Sequence, residues 1–192
     1  MTSRIFFAAY GIHTNEHELK RKISGDIVAR GYIDNYDLEF RSFPTIKESQ
    51  GDKVPVVIWS IPQNSMSKLD RIEFAIDGLF RQKYLKVTVT GIADKGMELG
   101  VPRETVEALV YVMSIPNSYS TGKPSLPDYN LIFSGWQSNE LEVNLLVRAL
   151  LAADTHYEEK EIAEWERQQL LKSLVIARDL LNIKPENSPS NS

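Results

Sequence analysis

Residues 4–13 read Arg4-Ile5-Phe6-Phe7-Ala8-Ala9-Tyr10-Gly11-Ile12-His13, an apolar run with aromatic residues that closes near a glycine. This pattern predicts a buried strand that turns sharply at Gly11. Thr14 or Asn15 can cap a helix that follows over residues 14–23. Where a strand passes into a helix, backbone N–H groups converge and can bind a carboxylate or phosphate. A buried strand with an ordinary turn explains the same residues, so the rest of the chain must decide.

Composition limits the class of protein. The chain has 192 residues, 42% of them hydrophobic, which suits one well-packed domain with a helical appendage. The net charge of −4 gives no basic footprint, so we expect no nucleic-acid partner. The absence of cysteine excludes disulfides and thiolate chemistry and suits a cytoplasmic protein. No apolar run reaches about 18 residues and no signal-like segment begins the chain, so we expect neither secretion nor a membrane contact.

Four further segments have the apolar patterns of strands, namely residues 27–43, 54–61, 84–92 and 106–113. Pro55 favours an edge or strand-start position for the second of them. The polar residues 44–53 predict a loop between the first two. A long irregular loop is expected over residues 115–129, which contain Pro116, Gly122, Pro124 and Pro127.

Helical spacing appears in three segments, residues 65–74, 139–153 and 157–183. Ser65 is the expected cap of the first helix, and Ser138 or Asn139 that of the second. The chain then ends in a polar tail. Its composition predicts disorder over residues 184–192.

Glu73 stands out in the first of these helices because the helical spacing places Met66, Leu69 and either Ile72 or Glu73 on one face. A carboxylate on an apolar face loses hydration unless it is paired or protonated, and such a group suits general acid/base catalysis. A salt bridge to Lys68 or Arg71, or simple exposure on the helix, explains the same residue and is the first explanation for this segment alone. The spacing alone leaves the alternatives open.

Two motifs are similar to metal-binding or phosphate-binding sequences, but each lacks part of the pattern that such a site requires. His13-Thr14-Asn15-Glu16-His17 has the H-x-x-E-H spelling of one class of zinc peptidases, which needs both histidines on one face of a long helix. His13 lies instead at the turn, so we interpret both histidines as solvated and expect no metal. Thr121-Gly122-Lys123-Pro124 lacks the upstream glycine and the hydroxyl residue of a phosphate-binding loop. We therefore expect no cofactor.

Several segments resemble the γ-glutamylcyclotransferase-like family, in the same order along the chain. Phe7-Ala8-Ala9-Tyr10-Gly11 is similar to the family's Phe-Ala-Tyr-Gly-Ser-Asn loop, and Leu69-Asp70-Arg71-Ile72-Glu73 is similar to its Leu-Asp-x-x-Glu element. Residues 29–40, 108–113 and 124–129 resemble its second strand, a late strand and a substrate-side loop. The resemblance extends from about residue 5 to residue 135.

The resemblance implies an α+β fold, with a small mixed β-barrel of five to six strands and flanking helices over residues 1–138. The helical segments over residues 139–183 lie beyond the resemblance, and we expect them to form a C-terminal extension that packs on or beside the barrel, followed by the tail. Packing within the chain is the first explanation for the Leu/Val stripe of the extension, and a homodimer is the second.

The resemblance also implies an activity, the release of 5-oxoproline and a free amine from a γ-glutamyl compound. Glu73 would be the general acid/base. The small-molecule substrate would lie against the strand end and the turn, with an aromatic residue of the late loop closing over it. The residues expected to bind it are Phe7, Ala8, Ala9, Tyr10, Gly11, Ile12, His13 and Tyr129.

Three positions depart from the family's pattern. Ile12-His13 replaces Ser-Asn, Phe74 replaces the glycine after the glutamate, and Val56 replaces a strand glycine. These changes motivate an alternative, a non-catalytic member. Such a protein would bind a small anionic or amide-bearing ligand in the same pocket or serve as a protein-interaction module.

Overall fold

The computed structural model describes residues 3–114 and 121–153, and five strands lie within them. The strands are β1 (Arg4–Ala9), β2 (Asp26–Arg41), β3 (Phe43–Pro62), β4 (Phe80–Ile92) and β5 (Thr105–Met113). They close into a barrel in the order β1-β3-β2-β4-β5. All neighbours are antiparallel except β5 and β1, which run parallel and pair at Phe7 and Leu109. The predicted α+β fold with a small mixed barrel is confirmed.

Helices connect and cover these strands. Those in the described residues are α1 (Glu16–Lys20), α2 (Met66–Ile72), α3 (Asp94–Glu98), α4 (Leu126–Ser138) and α5 (Val143–Ala152). Short 3₁₀ turns, Ile12–Thr14 and Gln63–Ser65, precede α1 and α2. Asn15 caps α1 as predicted, because its side chain accepts a hydrogen bond from the His17 N–H. Ser65 is at the N-cap position of α2 as predicted, but its side chain makes no capping hydrogen bond.

The central part of the core consists of β1 and the second half of β3. Residues 7–9 of β1 and residues 54–61 of β3 are all buried. A strand buried continuously, rather than at alternate residues, is covered on both faces. Pro55 is tolerated within β3 because it lies beyond Val57, the last residue there that pairs with β1.

The loop predicted for residues 44–53 is wrong. β2 and β3 form one long hairpin, in which residues 36–41 of β2 pair with residues 43–48 of β3. On the β3 side, residues 44–53 are largely polar, so this part of the strand is defined by its backbone hydrogen bonds to β2 and gives little hydrophobic signal. Ser42, with φ 62°, makes the tight turn. The hairpin matters because it brings Phe43 to the candidate site.

The loop predicted for residues 115–129 gives way to α4 at Leu126. The Ser125 hydroxyl oxygen accepts a hydrogen bond from the Asp128 N–H, and Pro127 lies in the first turn, where a missing N–H costs nothing. Ser138 and Asn139 do not cap the next helix, because they end α4 and α5 begins only at Val143. Residues 115–120 lie outside the described ranges.

α5 packs on β2, and Arg148 forms an ion pair with Asp37 there (2.7 Å). The compact unit that contains the barrel is Met1–Thr155, and His156–Ser192 is a second unit. The predicted helix over residues 157–183 and the predicted tail fall outside the described residues. Among the helices that are described, none combines the length and apolar character needed to cross a membrane.

Candidate active site

A cavity of about 220 Å³ lies between the end of β1, the β2–β3 hairpin turn, the end of α2 and α4. Residues 7–13 all line it, and so does Glu73. The structure therefore brings together every predicted site residue except Tyr129. Ile12 and Phe74, two of the departures from the family pattern, lie in its wall and leave it open.

Glu73 caps the C-terminus of α2, where its N–H donates to the Leu69 carbonyl (3.0 Å). Its carboxylate Oε1 lies 2.5 Å from His13 Nδ1. The side chain of Glu73 is 19% exposed and that of His13 only 4%. Among the described residues, the partner of this carboxylate is thus His13 rather than Lys68 or Arg71. The interpretation of His13 as a solvated residue is wrong, whereas His17 is exposed as expected.

Lys22 fixes how His13 faces Glu73. The Lys22 ammonium lies 3.4 Å from His13 Nε2. An ammonium can only donate, so Nε2 is the acceptor and the ring proton of a neutral imidazole is on Nδ1. Nδ1–H then donates to the Glu73 carboxylate, which keeps one oxygen in a fixed direction.

The turn between β1 and α1 is held in place by hydrogen bonds to its carbonyl groups. Each carbonyl from residue 10 to residue 14 accepts a hydrogen bond. The donors, in chain order of the acceptors, are the Trp136 indole (2.8 Å), the Thr14 N–H (3.0 Å), the Asn15 N–H (3.1 Å), the Trp59 indole (3.0 Å) and the Asn139 amide (2.9 Å). The turn therefore has little freedom to move, and Gly11 and Ile12 are held in the cavity wall.

Two glycines allow other elements to press against this turn. A Cβ on Gly11 would come within 2.9 Å of Pro44 Cγ, from the hairpin. A Cβ on Gly135 of α4 would lie 2.5 Å from the Asn15 backbone nitrogen. Such distances are sterically forbidden, so any larger residue would displace the hairpin or α4.

Two buried tyrosines complete the floor of the cavity. The Tyr10 hydroxyl donates to the Tyr111 carbonyl (2.5 Å), and the Tyr111 hydroxyl donates to Asp70 Oδ1 (2.7 Å). Burial raises the pKa of Tyr10 far above its usual range, and the charge of Glu73 acts in the same direction. Burial and the bond to Asp70 likewise raise the pKa of Tyr111. Both phenols therefore remain protonated around Glu73.

The structure places Tyr129 in α4, where it is fully buried. Its ring packs against Phe40 (6.2 Å between centroids) and Phe133 (6.0 Å). It does not line the cavity, although Asp128 and Ile132 beside it do. Its side chain thus packs α4 against Phe40 of β2.

Other wall residues had not been predicted. They include Lys22, Phe43 and Asp128, which come from three separate segments of the chain. No spacing within one segment could have identified them. Within the described ranges, no group of three or more His, Asp or Glu side chains is arranged to hold a metal ion.

The model of the family described as "Gamma-glutamyl cyclotransferase, AIG2-like" matches residues 7–131, which is well over half of the chain. The chain belongs to this family. The match spans both sides of the cavity, the Gly11 turn and Glu73, so the AIG2-like family is the one implied by the sequence resemblance. The protein is therefore of the general cyclotransferase kind. Comparison with curated protein sequences gives no match.

Solved structures show the same AIG2-like fold. A gamma-glutamyl cyclotransferase is 18% identical, with a TM-score of 0.64, over 86% of this chain and 99% of that one. An uncharacterized protein from Homo sapiens is 19% identical, with a TM-score of 0.63, over 85% and 98%. YkqA from Bacillus subtilis is 15% identical, with a TM-score of 0.63, over 80% and 56%. At these identities the likeness concerns the fold alone.

Proposed function

We propose that this protein is a γ-glutamylcyclotransferase in which Glu73 is the general acid and base. The observation that carries the proposal is the Glu73 carboxylate, which lines the same cavity as the Gly11 turn and is held by the buried His13. A carboxylate needs a fixed direction to transfer a proton efficiently, and the bond from His13 supplies it.

The reaction needs no cofactor or water. Glu73 takes a proton from the substrate α-amine as its nitrogen attacks the γ-carbonyl carbon. The bond between that carbon and the leaving nitrogen then breaks, and Glu73 returns the proton to the leaving amine. The products are the five-membered ring of 5-oxoproline and a free amine.

The turn has the second role in the proposal. The backbone N–H groups at the start of a helical turn have no partners within it, so those near Gly11 and Ile12 suit an anionic or carbonyl oxygen of the γ-glutamyl head. Holding the head in a folded conformation would bring the amine near the γ-carbonyl and remove much of the entropic cost of ring closure. The protonated Tyr10 and Tyr111 add no further negative charge next to Glu73.

The test is incubation with a panel of γ-glutamyl amino acids, peptides and amines, with mass spectrometry for 5-oxoproline. We expect product from at least one compound, and the Glu73→Gln variant should form it at least about a hundredfold more slowly. Product formed by Glu73→Gln at close to the wild-type rate would overturn the role of this residue. Binding of a γ-glutamyl compound without any product would favour the non-catalytic alternative.

A further inference from the structure

Phe43 and Phe74 form an aromatic pair at the cavity, which we name the aromatic rim. Both side chains line the cavity, and their ring centroids lie 5.8 Å apart with the planes inclined at 46°. They are 40% and 43% exposed, respectively, which is unusual for rings that could pack elsewhere. Two adjacent exposed rings in a cavity wall suggest a binding surface.

The backbone at Phe74 has an unusual conformation. Its φ is 54°, in the left-handed region that favours glycine, which is the residue found here in the family pattern. The Phe74 N–H donates to the Arg71 carbonyl (3.2 Å), and its own carbonyl accepts from Leu79 (3.2 Å) and Phe80 (3.3 Å). Strained backbone of this kind persists where its surroundings fix it, often at ligand contacts.

Phe43 reaches the rim from a different element. It follows Ser42, whose N–H donates to the Gly122 carbonyl (2.8 Å). Gly122 in turn donates to the Phe40 carbonyl (3.0 Å), so the end of the hairpin is held from outside. Two separately anchored backbones thus present the two rings.

Exposure divides the cavity into two regions. We name as the buried floor Phe7, Tyr10, His13 and Tyr111, together with the Glu73 carboxylate that His13 holds, whose side chain is 19% exposed. Phe7 is only 2% exposed and Tyr10 5%, in contrast to the rim. A substrate whose γ-glutamyl head occupies the buried floor would direct its leaving amine outward. Since Phe74 directly follows Glu73 in the chain, the rim begins where the reacting bond would lie.

We infer that the aromatic rim binds the leaving amine and selects γ-glutamyl compounds whose amine carries an aromatic or large apolar group. This inference rests on the proposed function. The charged wall residues Asp128 and Lys22 contact Ser125 (2.6 Å) and His13 (3.4 Å), whereas the exposed surface of the rim consists of the two rings. Ring–ring contacts favour a third aromatic group in inclined or offset positions.

The experiment compares kcat/KM for γ-glutamylphenylalanine and γ-glutamylglycine. The two compounds share the γ-glutamyl head and the second carboxylate, and differ only in the benzyl group. We expect the wild-type protein to prefer the phenylalanine compound by about tenfold, the size expected when one additional ring is buried against aromatic partners.

The variants assign that preference to the rim. Phe74→Gly removes a ring while suiting the backbone at φ 54°, so the variant should fold, and it should lower the preference by about threefold to tenfold through KM. Phe43→Ala should do the same, and Phe74→Tyr should retain the preference. Ile76→Ala is the matched control, since Ile76 is 60% exposed, lies near Phe74 in the chain and is outside the cavity wall.

The outcomes separate this inference from the proposed function. The rim would not select the leaving amine if the wild-type protein turned over both compounds equally, or if Phe74→Gly and Phe43→Ala kept the preference. Either result would leave the proposed role of Glu73 unaffected. For the case of no turnover, calorimetric binding of the two compounds replaces kinetics. A preference in binding that Phe74→Gly removes would support the rim and reject the chemistry, whereas binding of neither compound would reject both.

Discussion

The buried floor and the aromatic rim lie in one cavity but are built in opposite ways. The floor is much less exposed than the rim, and the turn beside it has all its carbonyls hydrogen-bonded from residue 10 to residue 14. The rim has two half-exposed rings and one residue in a strained conformation. Groups that must meet at fixed distances belong to the floor, and groups that need only recognise apolar surface belong to the rim.

Two departures from the family pattern lie next to Glu73. His13 belongs to the buried floor, and Phe74 belongs to the aromatic rim. His13 stands where the family pattern has asparagine, and its Nδ1 lies 2.5 Å from the Glu73 carboxylate. Phe74 stands where the pattern has glycine and adds a large ring to the wall. The first residue therefore holds a group at the floor, while the second changes the surface of the rim.

Glu73→Gln should give the largest effect and should confine it to rate. The amide cannot take a proton, so we expect kcat for γ-glutamylphenylalanine to fall by about a hundredfold to ten-thousandfold. KM and the preference over γ-glutamylglycine should change little, because the rim is intact. If Glu73→Gln lowered both kcat and the affinity for substrate, the floor and the rim would not act independently. Circular dichroism checks that it folds.

His13→Ala should give the next largest effect, about tenfold to a hundredfold in kcat, because Glu73 loses the bond that directs it. His13→Asn should recover most of this loss. The asparagine Nδ2 takes nearly the place of His Nδ1 and is also a donor. Steady-state kinetics on both variants measures the difference.

His17→Ala is the matched control for this pair, since the His17 side chain is 84% exposed and lies in the same segment. It should leave kcat and KM unchanged. If His13→Asn were as slow as His13→Ala, His13 would not act by donating to Glu73. Its contribution would then be packing beneath the turn.

Sequence patterns predicted the strands because most of them bury apolar residues, as in residues 54–61, whereas the barrel was implied by the family resemblance. They failed for residues 44–53, which are polar and join β3 through backbone hydrogen bonds that hydropathy does not reveal. They also failed at the start of α4, where Pro127 lies in the first turn and favoured a loop. The buried residues Tyr129, Ile132, Phe133 and Trp136 have helical spacing, so in α4 the proline signal outweighed an apolar pattern that was present.

The candidate site was predictable only in part. The turn and Glu73 could be named from motifs, but His13 and Glu73 are separated by 60 residues, and no spacing rule joins them. Tyr129 follows a loop-like sequence and is nonetheless buried in a helix. The strain at Phe74 had a signal, since a glycine in the family pattern often marks a left-handed backbone.

The floor should also respond to alkaline pH. Burial raises the pKa of Tyr10 in the folded state above the ordinary value near 10. The unfolded chain therefore loses this proton above pH 10 while the folded protein keeps it, so the stabilisation is complete below pH 10 and is lost as pH rises. The loss is about 1.4 kcal/mol per pH unit for each such group.

Tyr10→Phe should make the free energy of unfolding fall less steeply with pH, by the contribution of one proton. Urea unfolding between about pH 9 and pH 11 measures this slope. Tyr84→Phe, at a half-exposed position of β4, is the control and should keep the wild-type slope. An unchanged slope in Tyr10→Phe would mean that the Tyr10 phenol ionises in the folded protein, and the floor would not be the sealed region described here.

The smallest effect is expected at the rim, in the stability of Phe74→Gly. Relief of a left-handed backbone gains about 1 kcal/mol, while loss of the ring contact and the added freedom of glycine offset it. We expect the free energy of unfolding to change by less than about 0.5 kcal/mol. Phe43→Gly loses the same ring contact without such relief, and should be less stable by about 1–2 kcal/mol.

Urea unfolding of both glycine variants measures this difference, because each removes one ring of the same pair. If Phe74→Gly were as destabilised as Phe43→Gly, the backbone at Phe74 would store no strain, and its φ of 54° would be an ordinary feature of the turn after α2. A stable Phe74→Gly that has lost the preference for γ-glutamylphenylalanine would instead mean that the ring is maintained against the backbone's own preference. Ligand recognition at the rim, rather than folding, would then account for a phenylalanine at this position.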